Sequence, residues 1–278
     1  MDIIQAIILG IVQGATEFIP VWSSAHLVLV PWAMGWQNPG LLFDTLLHWG
    51  TLAAVVTYFW REWIAVIRAF FRSLVTRGPW TAAAGGRLAD PDARLAWGLV
   101  LGTLPAVILG FLFKDYVESL FAAPVAVGVF LLVTAGLLAL AERIGRRERP
   151  LVQVNLPDAL TIGIAQASAM APGISRSGAT MAAGMGRGLT REAAARFSFM
   201  LATPAILGAG VLQLFDLSQG AETLKSSPAA LLAGTIAAGI VGYLCIRFLL
   251  SYLRRGSLYV FAAYCAVLGL IVVVANLL

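Results

Sequence analysis

Three observations predict that this chain is an all-α polytopic membrane protein, built as an inverted-topology repeat with six transmembrane helices and two re-entrant helix–loop–helix hairpins. Hydrophobic residues make up 60% of the 278 positions and charged residues only 12%, which excludes an ordinary soluble domain. Apolar segments of membrane-crossing length recur along the whole chain. The arginines gather between particular pairs of these segments.

The crossings are predicted from segment length. A helix needs roughly 20 apolar residues to cross the hydrocarbon core of a bilayer. Six segments satisfy this requirement, namely 41–60, 95–113, 121–141, 197–216, 228–250 and 257–277.

Two further apolar segments are interrupted by polar residues. The segment at about 2–36 is broken between Gln13 and Ser24, and the segment at about 158–186 is broken by PGISRSG. Each remaining piece is only about half a membrane thick at roughly 1.5 Å per residue. Irregular backbone at this depth is tolerated where protein buries it or where it lines a wet cavity. We therefore expect two hairpins that enter the membrane and return.

The basic residues indicate how the chain is oriented. With six crossings and two hairpins, sixteen of the nineteen basic residues fall on one side, which is the cytoplasmic side by the positive-inside rule. These are Arg61, Arg68, Arg72, Arg77, Arg87, Arg94, Arg143, Arg146, Arg147, Arg149, Arg187, Arg191, Arg196, Arg247, Arg254 and Arg255. Lys114 and Lys225 fall opposite. Both chain termini are then predicted outside, and the net charge of +5 reflects topology and contact with anionic membrane lipids rather than nucleic acid.

Internal similarity predicts that a single membrane domain, 1–278, arose by duplication. QAIILGIVQ (5–13) aligns with DALTIGIAQ (158–166), and GTLPAVILGFL (102–112) aligns with GTIAAGIVGYL (234–244). The first repeat is 1–150 and the second is 151–278. Each contains one hairpin and three crossings. Because three is an odd number, the second repeat begins on the opposite side of the membrane from the first, and the two copies are inverted. Many transporters share this architecture, and a transporter remains an alternative to an enzyme.

The first break carries polar groups that are costly in lipid. Gln13 and Glu17 are spaced i, i+4 and share a helix face, Pro20 interrupts the helix, and Ser23 or Ser24 is expected to cap the next helix. An ionisable side chain at membrane depth usually marks function. The alternative for Glu17 is a carboxylate that only holds the hairpin together.

The second break is suited to an anion. Pro172 and Gly173 end one helix, and Ser175, Arg176 and Ser177 supply hydroxyls and a guanidinium at the start of the next, where the helix dipole favours negative charge. Arg176 is alternatively a structural partner of Glu17. If the two hairpins meet, these groups indicate phosphoryl chemistry on a substrate whose other end lies in lipid.

At these residues the chain resembles the bacterial undecaprenyl-pyrophosphate phosphatases of the bacitracin-resistance type. The similarity runs in order from residue 5 to about 250. It rests on Gln-x-x-x-Glu followed by Phe-Ile-Pro and Ser-Ser-x-His (13–26), FDTLLHWGT (43–51), GTLPA (102–106) and PGISRSGAT (172–180). The resemblance implies removal of the terminal phosphate of the C55 isoprenoid pyrophosphate, which recycles the carrier for peptidoglycan synthesis. It also implies a site open to the outer face of the bacterial inner membrane and a divalent cation, Mg²⁺ or Ca²⁺.

The family's functional residues carry over by position. Glu17 and Gln13 match its acidic motif and are the implied cation ligands, Ser23 matches the proposed nucleophile, and His26 and Arg176 match its motif histidine and arginine. The implied mechanism has Arg176 clamp the β-phosphate while Ser23 attacks and His26 shuttles a proton. Attack by His26 or by an activated water is left open.

The remaining implied substrate contacts and departures lie near these positions. The pyrophosphate-binding residues are Ser24, Ser175, Ser177, Gly178, Thr180 and Gln13. The family's usual run has a serine and a glycine where this chain has Trp22 and Ala25. His48 is predicted to form a hydrogen-bonded helix pair with Asp44, four residues before it, and His26 is alternatively a packed or interfacial histidine.

Overall fold

The computed structural model describes residues 1–37, 39–75, 90–112, 124–218 and 227–277, and these ranges form eleven α-helices. The helices are α1 Ile3–Thr16, α2 Ser23–Ala33, α3 Leu41–Tyr58, α4 Trp60–Val75, α5 Pro91–Leu112, α6 Pro124–Ile144, α7 Leu156–Ser168, α8 Arg176–Gly186, α9 Arg191–Ser218, α10 Pro228–Leu253 and α11 Tyr259–Leu277. A 3₁₀ turn, Leu151–Gln153, precedes α7.

Six of the described helices, α3, α5, α6, α9, α10 and α11, are long and apolar enough to cross a membrane. They coincide with the six segments predicted from the sequence, which confirms an all-helical, multi-pass membrane protein. Lys114, Lys225, Arg77 and Arg87 lie outside the described residues, so the predicted distribution of charge is represented there only in part.

Two pairs of short helices occupy the interrupted segments. α1 and α2 contain 14 and 11 residues, and α7 and α8 contain 13 and 11. At roughly 1.5 Å per residue none of the four is as long as the hydrocarbon core is thick. Asp2 and Asn155 begin α1 and α7 with a capping box, at equivalent positions of the aligned segments.

The structure differs from the sequence analysis at two local points. Neither Ser23 nor Ser24 caps α2: Trp22 occupies the N-cap without a side-chain cap hydrogen bond, because the hydroxyl of Ser23 is directed to Glu17 instead. No helix is predicted between the crossings 41–60 and 95–113, but the structure has the helix α4 at the start of this interval. The arginines there recur at helical spacing and leave apolar residues on the other faces, which is typical of an amphipathic helix.

The short helices pack reciprocally on the crossings. α1 lies on α10, and α7 lies on α5. A Cβ atom at Gly10 would overlap the carbonyl oxygen of Gly234, and one at Gly163 would overlap that of Gly102. Gly10 aligns with Gly163 and Gly102 with Gly234 in the internal alignment. The same close helix contact, which only small residues permit, is therefore made twice at equivalent positions.

Two buried carboxylates bind arginines beside the short helices α7 and α8, one near the end of α6 and the other at the start of α7. Glu142 accepts hydrogen bonds from Arg147 and Arg191 at 2.6 to 2.9 Å. Asp158, which has no exposed surface, accepts from Arg149 and Arg187 at 2.6 to 3.2 Å. Burial alone would raise the pKa of Asp158, but these donors outweigh it and leave the pKa below its ordinary value. Asp158 thereby fixes the start of α7.

Candidate functional site

A cavity of about 270 Å³ lies where the α1–α2 break meets the α7–α8 break. It is lined by both breaks together with α3 and α9. The lining residues are Thr16, Glu17, Trp22, Ser23, Ser24, His48, Ala169, Ile174, Ser175, Arg176, Ser177, Ala205, Ile206, Ala209, Gly210 and Gln213. The two polar breaks, 159 residues apart at their contact between Glu17 and Arg176, thus form one site.

Glu17 is the acceptor at the centre of this site. α1 ends at Thr16 because Pro20, four residues later, cannot continue the helix. The Glu17 side chain is almost fully buried. It accepts hydrogen bonds from Gln13 Nε2 at 3.0 Å and Ser23 Oγ at 2.7 Å. Arg176 Nη2 donates to its other oxygen. Three donors therefore converge on one carboxylate, as the i, i+4 spacing predicts for Gln13.

One of the two terminal nitrogens of Arg176 has a hydrogen-bond partner and the other has none among the described residues. It is the first residue of α8, and its Nη2 bonds Glu17. Its Nη1 is buried and has no hydrogen-bond partner among the described residues, although the side chain lines the cavity. Buried donors are nearly always satisfied, so such an atom needs an explanation. A planar guanidinium beside a cavity is well suited to an oxygen of a phosphate group.

The serines of the second break shape the start of α8. Ser175 caps the helix, accepting from the amide of Gly178 at 3.2 Å, and its hydroxyl lies 3.2 Å from that of Ser177. Ser177 Oγ donates to the carbonyl of Ile19 at 3.2 Å, which ties the two breaks together. Ser175 and Ser177, with Ser24 from the first break, line the cavity as predicted for binding residues.

Three predicted binding residues do not line the cavity. Thr180 is fully buried, with its hydroxyl 2.6 Å from that of Ser198 on α9. Gly178 packs against Ser175 and Thr134, where an added Cβ would be tight. Gln13 is fully buried behind Glu17. These residues support the walls of the site rather than face it.

The donor set for a cation is small. Among the described residues no group of three or more His, Cys, Asp and Glu side chains could hold a metal ion. Glu17 lines the cavity, whereas the Oε1 of Gln13, which has no hydrogen-bond partner among the described residues, is buried behind it. Mg²⁺ often binds through one or two protein oxygens with substrate phosphates completing its shell. The carboxylate of Glu17 fits a hard cation that is shared with a phosphate-bearing substrate.

The structure places the two histidines differently from the prediction. His48 lines the cavity. Its Nδ1 lies 2.7 Å from the backbone carbonyl of Asp44, and its Nε2 is 3.7 Å from Glu17 Oε2. The expected helix pair of His48 and Asp44 therefore forms through the backbone. Because a carbonyl only accepts, Nδ1 carries the proton and Nε2 is directed to the site.

His26 is not among the residues that line the cavity. Its Nδ1 donates to the carbonyl of Trp22 at 3.0 Å, and its Nε2 accepts from the Tyr264 hydroxyl at 2.6 Å on α11. The structure therefore brings Glu17, Ser23 and Arg176 together but directs His26 away from them. The one sequence signal for His48 was its position as the second imidazole of the chain, in the segment FDTLLHWGT.

Both departures from the family's usual run lie at the start of α2. Trp22 lines the cavity with φ at 62°, a left-handed conformation that is unfavourable for a bulky residue. Ala25 lies within the helix and needs no positive φ. The strain is therefore at Trp22, and strained residues of this kind cluster at functional sites.

Comparison with known proteins shows the family of the chain. The family described as bacitracin resistance protein BacA matches residues 6–271, which include both breaks and the cavity. The chain belongs to the BacA family. A relative from Desulforudis audaxviator, named undecaprenyl-diphosphatase, is 45% identical over the whole chain and 99% of its own length. Relatives with the same name from Methanosphaera stadtmanae and Moorella thermoacetica are 44% and 43% identical, with 99% and 98% of this chain and 99% and 97% of theirs covered.

Proposed function

We propose that the chain is an undecaprenyl-diphosphatase, which uses water to convert undecaprenyl diphosphate into undecaprenyl phosphate and inorganic phosphate. The observation that carries this proposal is the Nη1 of Arg176, which is buried without a hydrogen-bond partner among the described residues, in a side chain that lines the cavity with Glu17 and Ser23. Relatives with this name cover 97–100% of the chain at 41–45% identity. The site combines an anion-binding group with an acceptor and a hydroxyl nucleophile.

Arg176 binds the terminal phosphate. Its Nη2 stays on Glu17 while Nη1 takes a phosphate oxygen, and the dipole of α8 adds favourable potential at the same place. Charge that develops on the phosphate oxygens during transfer is stabilised by this fixed donor. Ser175 and Ser177 hold the helix start rigid around it.

Ser23 is the proposed nucleophile. Its hydroxyl already donates to Glu17 Oε2 at 2.7 Å, so Glu17 orients the oxygen and receives its proton as the Ser23 Oγ–P bond forms and the bridging P–O bond breaks. Water then releases phosphate from the serine. Direct attack by water, or attack by His26, remains an alternative. His26 as proton shuttle requires its Nε2 to exchange the Tyr264 hydroxyl for the substrate.

A divalent cation, Mg²⁺ or Ca²⁺, belongs to the proposal. Glu17 would hold it, joined by Gln13 Oε1 if the Gln13 amide turns toward the cavity, and when bound it would neutralise charge on the diphosphate. The lipid substrate and surrounding membrane lipids are the proposed partners.

We place the protein in the bacterial inner membrane, with both termini outside and the cavity open to the periplasmic face. The distribution of arginines between the crossings supports this orientation. The product would re-enter cell-wall synthesis as the lipid carrier, and the activity would account for bacitracin resistance.

The short helix pairs are proposed to be re-entrant hairpins of two inverted repeats, 1–150 and 151–278. The reciprocal glycine contacts of α1 on α10 and α7 on α5 support this duplication. The same architecture suits a flippase for the polyprenyl phosphate carrier. That alternative predicts transbilayer movement of lipid without release of phosphate.

Purified protein and undecaprenyl diphosphate in detergent test the proposal. Phosphate release is expected, with loss of activity in Arg176→Ala and Glu17→Ala and retention in Arg247→Ala, which removes an exposed arginine outside the site. Rapid quench with substrate labelled in the terminal phosphate should label Ser23. A Ser23→Ala variant with full activity would eliminate the serine route, and absence of phosphate release from the folded parent would refute the enzyme.

A further inference from the structure

A second cavity lies between α4 and α5, away from the site described above. It has a volume of about 370 Å³ and an almost wholly apolar lining. The lining residues are Trp63, Val66, Ile67, Phe70, Phe71, Ala96, Leu99, Val100, Thr103, Leu104 and Pro204. The one hydroxyl among them, that of Thr103, donates to the backbone carbonyl of Leu99. We call this cavity the α4–α5 groove.

Two contacts place the end of α4 beside the beginning of α5. Trp97 Nε1 on α5 donates to Ser73 Oγ on α4 at 3.1 Å, and Arg72 near the end of α4 pairs with Asp90 just before α5. The two helices therefore run antiparallel. In the predicted topology, this end of both helices lies at the cytoplasmic face of the membrane, where the arginines gather.

Three stripes run along α4. Val66, Ala69 and Ser73 face the protein and are buried. Ile64, Ile67 and Phe71 are 39 to 60% exposed and form an apolar stripe that borders the groove. The third stripe is basic and consists of Arg61, Arg68 and Arg72, all exposed and spaced by seven and four residues.

The basic stripe lies next to the apolar stripe. Arg68 follows Ile64 by four residues and precedes Phe71 by three, so these side chains are neighbours on the helix surface. Arg61 lies over the ring of Trp60 with 5.1 Å to its centroid. Glu62 is occupied by Arg196 at 3.3 Å. Arg72 is paired with Asp90, so the positive charge beside the groove is carried by Arg61 and Arg68.

We propose that the α4–α5 groove binds an anionic phospholipid, with an acyl chain in the groove and the phosphate on the basic stripe. An apolar channel takes a hydrocarbon chain, and adjacent arginines select a negative headgroup over a zwitterionic one. A helix with apolar and basic stripes side by side is typical of the membrane interface. The selectivity expected is on the order of fivefold for each arginine near the surface, decreasing with salt.

Brominated lipids test the site through Trp63, which lines the groove. The protein is reconstituted into phosphatidylcholine vesicles that contain a minor fraction of phosphatidylglycerol or phosphatidylcholine brominated in the acyl chain. The fluorescence of Trp63 is obtained as the difference between the parent and Trp63→Phe. Quenching by the anionic lipid should exceed quenching by the zwitterionic lipid about fivefold or more at low salt.

Two matched pairs of variants make the test specific. Arg61→Gln combined with Arg68→Gln should bring the ratio of quenching close to one, whereas Arg247→Gln combined with Arg255→Gln, which removes two other exposed arginines, should leave it unchanged. Val100→Phe fills the groove and should reduce quenching by both lipids.

Val107→Phe adds the same bulk two turns further along α5, outside the groove, and should have no effect. Equal quenching by the two lipids in the parent would overturn the proposal. So would a ratio that depends on Arg247 and Arg255 rather than on the basic stripe, since that would indicate a general effect of charge on the membrane.

Discussion

Replacement of Arg176 by lysine separates two roles of this residue, the ion pair with Glu17 and the proposed hydrogen bond to the phosphate. Arg176 uses Nη2 for Glu17, and its Nη1 is buried without a hydrogen-bond partner among the described residues. Lysine retains a positive charge beside the buried carboxylate, and so avoids the roughly 3–5 kcal/mol that removing one partner of a buried ion pair costs. It loses the planar fork, and with it the second donor nitrogen that Arg176 holds at the Nη1 position. The protein should therefore remain folded while phosphate transfer loses a fixed donor.

The expected decrease in kcat is about 10²–10³-fold, the magnitude for removal of one preorganised donor to a developing negative charge. The assay is release of inorganic phosphate from undecaprenyl diphosphate in detergent, with the thermal unfolding temperature measured on the same preparation. Arg196→Lys is the matched control, because Arg196 pairs with Glu62 and Glu192 outside the cavity. A decrease of less than about tenfold in Arg176→Lys, or an equal decrease in the control, would refute the assignment of Nη1 to the phosphate.

Three further predictions concern the surroundings of the site. His48→Ala should lower phosphate release by roughly tenfold, and His48→Gln should lower it by much less. The reason is that His48 Nε2 is too far from Glu17 for a hydrogen bond and contributes only as a polar group that lines the cavity. Equal losses in both variants would contradict this. Trp22→Gly should raise the unfolding temperature, because glycine adopts the left-handed conformation without the strain of about 1 kcal/mol that tryptophan carries. The same substitution should increase KM for the lipid substrate. A lower unfolding temperature with unchanged KM would count against this prediction. The folded-state pKa of Asp158 lies below its ordinary value of 3.8, so its contribution to stability is present above pH 4 and is lost as the pH falls through the lowered pKa. Asp158→Asn should lower the free energy of unfolding at pH 7 by about 3 kcal/mol and reduce this acid dependence, which denaturant titrations at several pH values would measure.

The sequence predicted those parts of the site that depend on local spacing. The i, i+4 relation of Gln13 and Glu17 determines their hydrogen bond once α1 forms, and Pro172 and Gly173 predict the break after which α8 begins at Arg176. In both cases one helix or one turn decides the geometry. The contact of Glu17 with Arg176 is of another kind, because it joins residues 159 positions apart and the sequence analysis stated the meeting of the two hairpins only as a condition.

The rest depends on packing between distant helices. The face of α3 that packs on α9 and α10 places His48 Nε2 3.7 Å from Glu17 Oε2, and α11 supplies the hydroxyl of Tyr264 that holds His26. Neither contact is encoded in local spacing. α4 was not predicted because its arginines were considered only for topology, although they occupy one stripe of an amphipathic helix. The positive φ of Trp22 has no sequence signal, since the conformation is unusual for that residue type.

The central claim is that the two polar breaks form one site that binds a diphosphate through Arg176. An experimental structure with a non-hydrolysable methylene analogue of an isoprenyl diphosphate tests it most directly. The terminal phosphate should lie within hydrogen-bond distance, about 3 Å, of Arg176 Nη1, with Ser23 Oγ facing its phosphorus atom. A phosphate bound elsewhere, or Glu17 and Arg176 on separated segments, would contradict the account.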